Sequence, residues 1–197
     1  MNRLDKKDYR KYDYWCWENF FNKKEVKQFN KEINKNIIAQ ENIENTATNS
    51  KKEILKNVDT HIVKLSNISK FIKPVMENVR FCNDKNFQYD IHTNFELHDY
   101  GNYNIYLSTK NSEYKWHTDG SDDVRYDLKF TVLINLSEKK YTGGNFKLFN
   151  HEIYTVDKFK NSGSVLMFKP YINHCVTPII SGERKTFTIF IYGSKWK

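Results

Sequence analysis

A chain of 197 residues is long enough for one domain with a sizeable core, and an aromatic content of 16% argues against disorder. The formal charge of +8 comes from 32 Lys+Arg against 24 Asp+Glu. Only Arg3, Arg10, Arg80, Arg125 and Arg184 are arginines, and the lysines are scattered among asparagines, so the balance reads as solvated faces rather than a nucleic-acid stripe. Cys16, Cys82 and Cys175 have no paired spacing, which argues against a disulfide framework and suits a reducing compartment. No apolar run is long enough to span a bilayer, and residues 1–8 lack the apolar segment of a secretory signal. A soluble, cytoplasmic protein without a membrane partner is expected.

In chain order, residues 14–21 are rich in aromatics and predict a strand and turn. From Asn22, which can serve as an N-cap, Val26, Phe29, Ile33 and Ile37 recur at three- and four-residue steps and predict a helix lying on a sheet. Residues 39–53 are polar and predict a loop, with a lid as one role for it. A short strand is expected over 60–65. Ile68, Phe71, Ile72, Val75, Met76 and Val79 form a second helical stripe, in which Pro74 predicts a kink or restart. From Phe87 the pattern changes to short strands, with candidates at 88–98, 102–107, 113–118, 128–136, 144–149, 152–156, 164–168, 174–178 and 185–192. Turns fall at Gly143-Gly144 and over 161–163. The apolar run in 128–136 fits a central strand covered on both faces. So many short strands favour a β-sandwich or jelly roll, a mainly β (α+β) fold with helices first.

Within that β region, Trp116-His117-Thr118-Asp119 closes a strand and opens onto the polar stretch 120–125. Alone, a His and an Asp two apart make a weak signal, and a surface or structural pair is the ordinary reading. Strand side chains alternate, however, so His117 and Asp119 can point the same way. His174 from another strand would then complete two imidazoles and one carboxylate, a set that leaves coordination positions open and suits non-haem Fe(II) oxygenases. Arg184, ten residues further on, can anchor an anionic co-substrate. His61, His92, His98 and His151 lack such a pattern and read as surface or satisfied histidines. Asp122, Asp123 and Asp127 read as a solvated loop, and Cys175 as a small buried hydrophobe. No GxxxxGK, CxxC or nucleophile-elbow pattern is present.

Tyr106, the Trp116–Gly120 segment, Thr131–Leu136, Tyr141-Thr-Gly-Gly144-Asn-Phe146, Gly163–Phe168, His174–Pro178 and Gly182-Glu-Arg184 together give the sequence a further character. From about residue 87 to 196 it resembles the 2-oxoglutarate- and Fe(II)-dependent dioxygenases of the prolyl 4-hydroxylase type, small bacterial and viral members above all. The resemblance implies a double-stranded β-helix (jelly roll) with N-terminal support helices. One domain over 1–197 follows, with 1–86 as a mainly helical support region and 87–197 as the catalytic β-sandwich. It also implies His117, Asp119 and His174 as iron ligands, and Arg184 as partner of the distal carboxylate of 2-oxoglutarate. Tyr106 and Thr188 become further donors to the co-substrate, while Tyr114 and Trp116 line the entrance or simply pack. The activity implied is hydroxylation of an unactivated C–H, foremost of a prolyl residue in a protein or peptide. O2 is consumed, succinate and CO2 are released, and ascorbate is an accessory reductant.

Two other readings compete. The same cofactors could serve a nucleic-acid base, a free amino acid or another small molecule. Against the base, the chain lacks a second arginine after Arg184. A non-catalytic β-sandwich binding module is the third reading, and the presence of all three ligands with the arginine argues against it.

Overall fold

The computed structural model describes residues 12–40, 53–92, 100–120 and 127–195. The proposed lid and His98, Asp122, Asp123 and Arg125 fall mostly or wholly outside these residues. The chain starts with strand β1 (Tyr14–Trp17) and helix α1 (Lys23–Lys35), as the aromatic run and the apolar stripe predict. Asn22 caps α1: its Oδ1 accepts from the backbone N–H of Lys24 (2.9 Å) and Glu25 (3.0 Å), and the Glu25 carboxylate accepts from Asn22 N. The helix stops sooner than its periodicity suggests. Asn36 turns its N–H to Ile33 O and its side chain to Glu32 O, and Ile37 instead begins strand β2 (Ile37–Gln40).

Strand β3 (Asp59–Lys64) follows, then a short 3-10 turn and helix α2 (Ser69–Cys82). α2 runs unbroken through Pro74, so the chain does not restart there. The proline lies in the second turn, where one intrahelical bond is lost, and Asn78 Nδ2 donates to its carbonyl at 3.0 Å. Residues 88–92 are not a strand, contrary to the alternation read over 88–98. Gln88 adopts a left-handed φ of 56°, the Asn83 side chain binds both the N–H and the carbonyl of Tyr89, and the His92 N–H reaches the sheet, donating to Tyr192 O at 2.7 Å. The rest of that candidate, 93–98, lies outside the described residues.

The remaining strands are β4 (Tyr100–Leu107), β5 (Tyr114–His117), β6 (Leu128–Asn135), β7 (Thr142–Gly143), β8 (Phe146–Asn150) and β9 (Glu152–Thr155), then β10 (Val165–Phe168), β11 (Asn173–Val176), β12 (Ile179–Ser181) and β13 (Glu183–Tyr192). The single strand expected at 144–149 is β8, with β7 as a separate short strand before it. The pair β7–β12 was not foreseen. It joins the Gly143 turn to Ile179–Ser181.

A seven-stranded sheet has the order β1-β10-β6-β13-β4-β3-β2, and a four-stranded sheet the order β5-β11-β8-β9. All their pairings are antiparallel. The result is a mainly β double-stranded β-helix with helices on the outside. β1, β2 and β3, from before residue 87, belong to the large sheet itself. α1 and α2 cover its outer face, where Phe29 and Phe71 stack at 4.4 Å against Phe187 and its neighbours. The inner face meets the small sheet through Tyr106, Leu133, Phe146, Leu148, Phe168 and Ile179. β6 is buried on both faces along its whole length, as a central strand should be. Among the described residues no helix is long and apolar enough to cross a membrane.

Candidate active site between the two sheets

β5 and β11 lie side by side in the small sheet, and His117 and His174 are Cα partners there. A β-bulge shifts the register between His174 and Val176, so that Val176 pairs with Tyr114, three residues from His117. The extra residue in β5 lets Tyr114 and His117 share the inner face, where their rings stack at 3.5 Å and 12°. Tyr114 thus forms a wall of the site, a role the sequence left open between lining and packing. Asp119 lies beyond the end of β5, not on the strand. A turn carries it, with Gly120 at φ 73° and the Asp119 N–H donating to Pro170 O at 2.9 Å. The chain reversal, not strand alternation, brings the carboxylate to the imidazoles.

The three side chains converge. Asp119 Oδ1 lies 3.6 Å from His117 Nε2, and Asp119 Oδ2 lies 3.5 Å from His174 Nε2. One donor atom from each lies within 4.8 Å of the others. Each Nδ1 faces a backbone carbonyl, Lys115 O at 2.7 Å and Ile172 O at 2.8 Å. A carbonyl can only accept, so each Nδ1 carries a proton and Nε2 is the ring atom turned toward Asp119. Burial lowers His117 to about 4, reinforced by His174 and opposed by the Asp119 carboxylate. At neutral pH His117 is therefore the uncharged, ligating form. Thr131 on β6 donates to Asp119 Oδ2 at 2.7 Å and holds the carboxylate from the large sheet. That role has no local signature in the sequence, because it depends on which strand faces the turn. Two imidazoles presenting Nε2 and one carboxylate in this arrangement fit a divalent metal such as Fe(II), with positions left for other ligands.

Arg184, 1% exposed, starts the inner face of β13 and is the cross-strand partner of Tyr106 on β4. Its guanidinium lies 4.8 Å from the Tyr106 ring centre and 5.7 Å from that of Phe159. Among the described residues neither terminal nitrogen has a hydrogen-bond partner. A buried, unpaired guanidinium destabilises the fold unless an anion meets it, and its planar fork fits a carboxylate. Burial also raises the Tyr106 phenol against the pull of Arg184, keeping it protonated as a donor. Gly144 makes room here. At φ 58°, a Cβ on it would run into Ile179 and come within 3.0 Å of Arg184 Cδ. Thr188 shares the Arg184 face of β13 but stands four residues away, with its hydroxyl accepting from Asn104 Nδ2 at 3.0 Å. Trp116 is 37% exposed at the rim. Cys175 is buried beside His174 as a raised, neutral thiol at about 11, with burial the main cause. His61 and His151 lie outside this cluster, His151 in the turn between β8 and β9.

The jelly roll thus carries two histidines and an aspartate able to hold a divalent metal, and on the inner face of the large sheet a buried arginine able to meet an anion. Comparison with known proteins agrees. Residues 101–192 match the model of the 2OG-Fe(II) oxygenase superfamily. A PKHD-type hydroxylase of Synechococcus sp. (strain CC9605) is 33% identical over 79 residues, which are 39% of this chain and 35% of that protein's length. A Pseudomonas putida prolyl-4-hydroxylase superimposes with a TM-score of 0.67 at 14% identity, covering 95% of this chain and 96% of its own. A Trichoplax adhaerens prolyl hydroxylase, solved with a hypoxia inducible factor peptide fragment, gives 0.68 at 16% identity, covering 93% and 85%. The likeness to the 2OG-Fe(II) oxygenase superfamily thus spans just under half of the chain, and the fold is that of the prolyl 4-hydroxylase structures. The cofactors of that superfamily are Fe(II), 2-oxoglutarate and O2, and His117, Asp119 and His174 are the candidate iron site.

Proposed function

We propose that the chain, acting as a single catalytic domain, is an Fe(II)- and 2-oxoglutarate-dependent hydroxylase. Its substrate on this reading is a prolyl residue in a protein or peptide. The observation that carries the cofactor assignment is Arg184: its fully buried guanidinium, whose terminal nitrogens meet no hydrogen-bond partner among the described residues, lies on the inner face of the large sheet, the face from which Thr131 reaches Asp119. His117 and His174 hold the metal through Nε2, and Asp119 through the carboxylate that Thr131 steadies. Arg184 takes the distal carboxylate of 2-oxoglutarate, with Tyr106 as a second donor, while Thr188, further along β13, is a donor to the co-substrate away from that end. The apolar walls from Leu133, Phe146, Leu148 and Phe168 exclude water, which strengthens the charge pair at Arg184. When bound, iron and 2-oxoglutarate supply the oxidation, coupling O2 reduction and decarboxylation to hydroxylation of a C–H, with succinate and CO2 released.

A peptide substrate is supported by the likeness to prolyl hydroxylases, one of them solved with a peptide. The three free cysteines support a reducing, cytoplasmic setting. The test is succinate release from Fe(II)-loaded protein with 2-oxoglutarate, in the presence of proline-containing peptides, free proline or methylated oligonucleotides. Stimulation by the peptides alone is the expected result. Stimulation by oligonucleotides or free proline alone would replace the substrate assignment while leaving the cofactors in place.

A further inference from the structure

Asn104 sits in the middle of β4, buried, with its side chain on the inner face of the large sheet. Its amide touches three groups. Oδ1 accepts from Thr60 Oγ1 at 2.9 Å, while Nδ2 donates to Asn102 O at 3.2 Å and to Thr188 Oγ1 at 3.0 Å. The orientation is fixed by chemistry. Turning the amide over would set its oxygen against the Asn102 carbonyl, two acceptors face to face. Nδ2 can only donate, so Thr188 must accept from Asn104, and the hydroxyl proton of Thr188 points elsewhere. Among the described residues it meets no acceptor.

The direction left to it is the inner side of the large sheet, toward the small sheet. Thr188 alternates with Phe187 and Ile189, which belong to the helix-side core, and so faces the small sheet along with Arg184. It stands about 13 Å along the strand from Arg184 at the usual strand rise. Its cross-strand partner is Leu133, and the next inward residue of β6 is Thr131, which holds Asp119. Along the inner face, Thr188 is therefore nearer than Arg184 to the strand position of Thr131 and the metal-binding cluster. Folding alone does not call for this chain. Thr60, Asn104 and Thr188 are 1%, 5% and 8% exposed, and an apolar trio of the same shape would pack about as well.

We propose that Thr60 and Asn104 are positioning residues, whose one-way chain of hydrogen bonds aims the Thr188 hydroxyl proton at a carboxylate oxygen on the metal-facing end of 2-oxoglutarate. This rests on the reading of the cavity as a 2-oxoglutarate site. It separates the duties of Arg184 and Thr188, which bind opposite ends of one dicarboxylate. It also predicts that the direction of the Asn104 amide matters, beyond its bulk.

The test is calorimetric binding of 2-oxoglutarate to the Mn(II)-loaded protein, with folding checked by near-UV circular dichroism. Thr188→Val should weaken binding about tenfold, the scale of one hydrogen bond to a charged group, and Thr188→Ser should retain it. Asn104→Asp offers only acceptors once its carboxyl is ionised, so with binding measured at a pH where the carboxyl is ionised it should turn the Thr188 proton toward itself and weaken binding comparably. Combining Asn104→Asp with Thr188→Val should then add no further loss, because both remove the same donor. Wild-type affinity in folded Asn104→Asp, or independent losses that multiply in the double variant, would overturn the proposal. Absence of 2-oxoglutarate binding by the unaltered Mn(II)-loaded protein would instead overturn the site reading, and the proposal with it.

Discussion

His117 and His174 are direct Cα partners across β5 and β11, and their rings lie 4.2 Å apart at 55°. Two imidazoles this close, with both Nδ1 atoms engaged by carbonyls, leave their Nε2 atoms converging on Asp119. One donor atom from each of the three residues lies within 4.8 Å of the others, which is why the pair reads as a metal seat.

His174→Ala removes one of three donors from a buried position and should weaken Mn(II) or Fe(II) binding by at least about 100-fold while the fold survives. Metal titration by electron paramagnetic resonance or calorimetry checks it. Undiminished binding would place the metal elsewhere.

Thr131→Val keeps the shape of the side chain and deletes the donor to Asp119. Metal affinity should fall about 10- to 100-fold, the usual effect of losing a partner that orients a ligand. The same titration decides it, and an unchanged affinity would show that the turn at Asp119–Gly120 suffices to place the carboxylate.

Arg184→Met separates function from stability in opposite directions. The ligand-free protein carries a buried guanidinium with unpaired terminal nitrogens, so an apolar replacement should raise its unfolding free energy by about 1–3 kcal/mol. The variant should bind metal normally and lose 2-oxoglutarate binding. Denaturant unfolding and calorimetry on the same sample test both halves. A less stable variant that still bound 2-oxoglutarate would mean that Arg184 is a structural residue.

Gly144→Ala forces a side chain into a left-handed φ of 58° against Ile179 and the Arg184 stem. A loss of about 1–2 kcal/mol in stability is expected, together with weaker 2-oxoglutarate binding as Arg184 is displaced. Asn22→Ala supplies the contrast. It should cost about 1 kcal/mol through the lost helix cap and leave both ligands' affinities unchanged, since α1 packs on the far side of the large sheet.

The parts of this site that could be read from the sequence are those with local or chemically rare signatures. His117 and Asp119 lie two apart, and Arg184 follows a glycine turn. β6 shows its burial as an apolar run, and Asn22 shows its cap by residue type. What escaped reading depends on register. The bulge that brings Tyr114 over His117, the grip of Thr131 on Asp119 and the chain from Thr60 through Asn104 to Thr188 are cross-strand facts. Alternation also misled over 88–92, where Asn83 binds the Tyr89 backbone that a neighbouring strand would otherwise pair. Ile37 kept helical spacing, yet it lies beyond the Asn36 cap that ends α1.

The central claim, that this cavity holds Fe(II) and 2-oxoglutarate together, is tested most directly by anaerobic absorption spectroscopy. Adding 2-oxoglutarate to the Fe(II)-loaded protein without O2 should produce a weak visible charge-transfer band, which Arg184→Met abolishes and His174→Ala never forms. A folded, Fe(II)-loaded protein that shows no band at saturating 2-oxoglutarate would contradict the account.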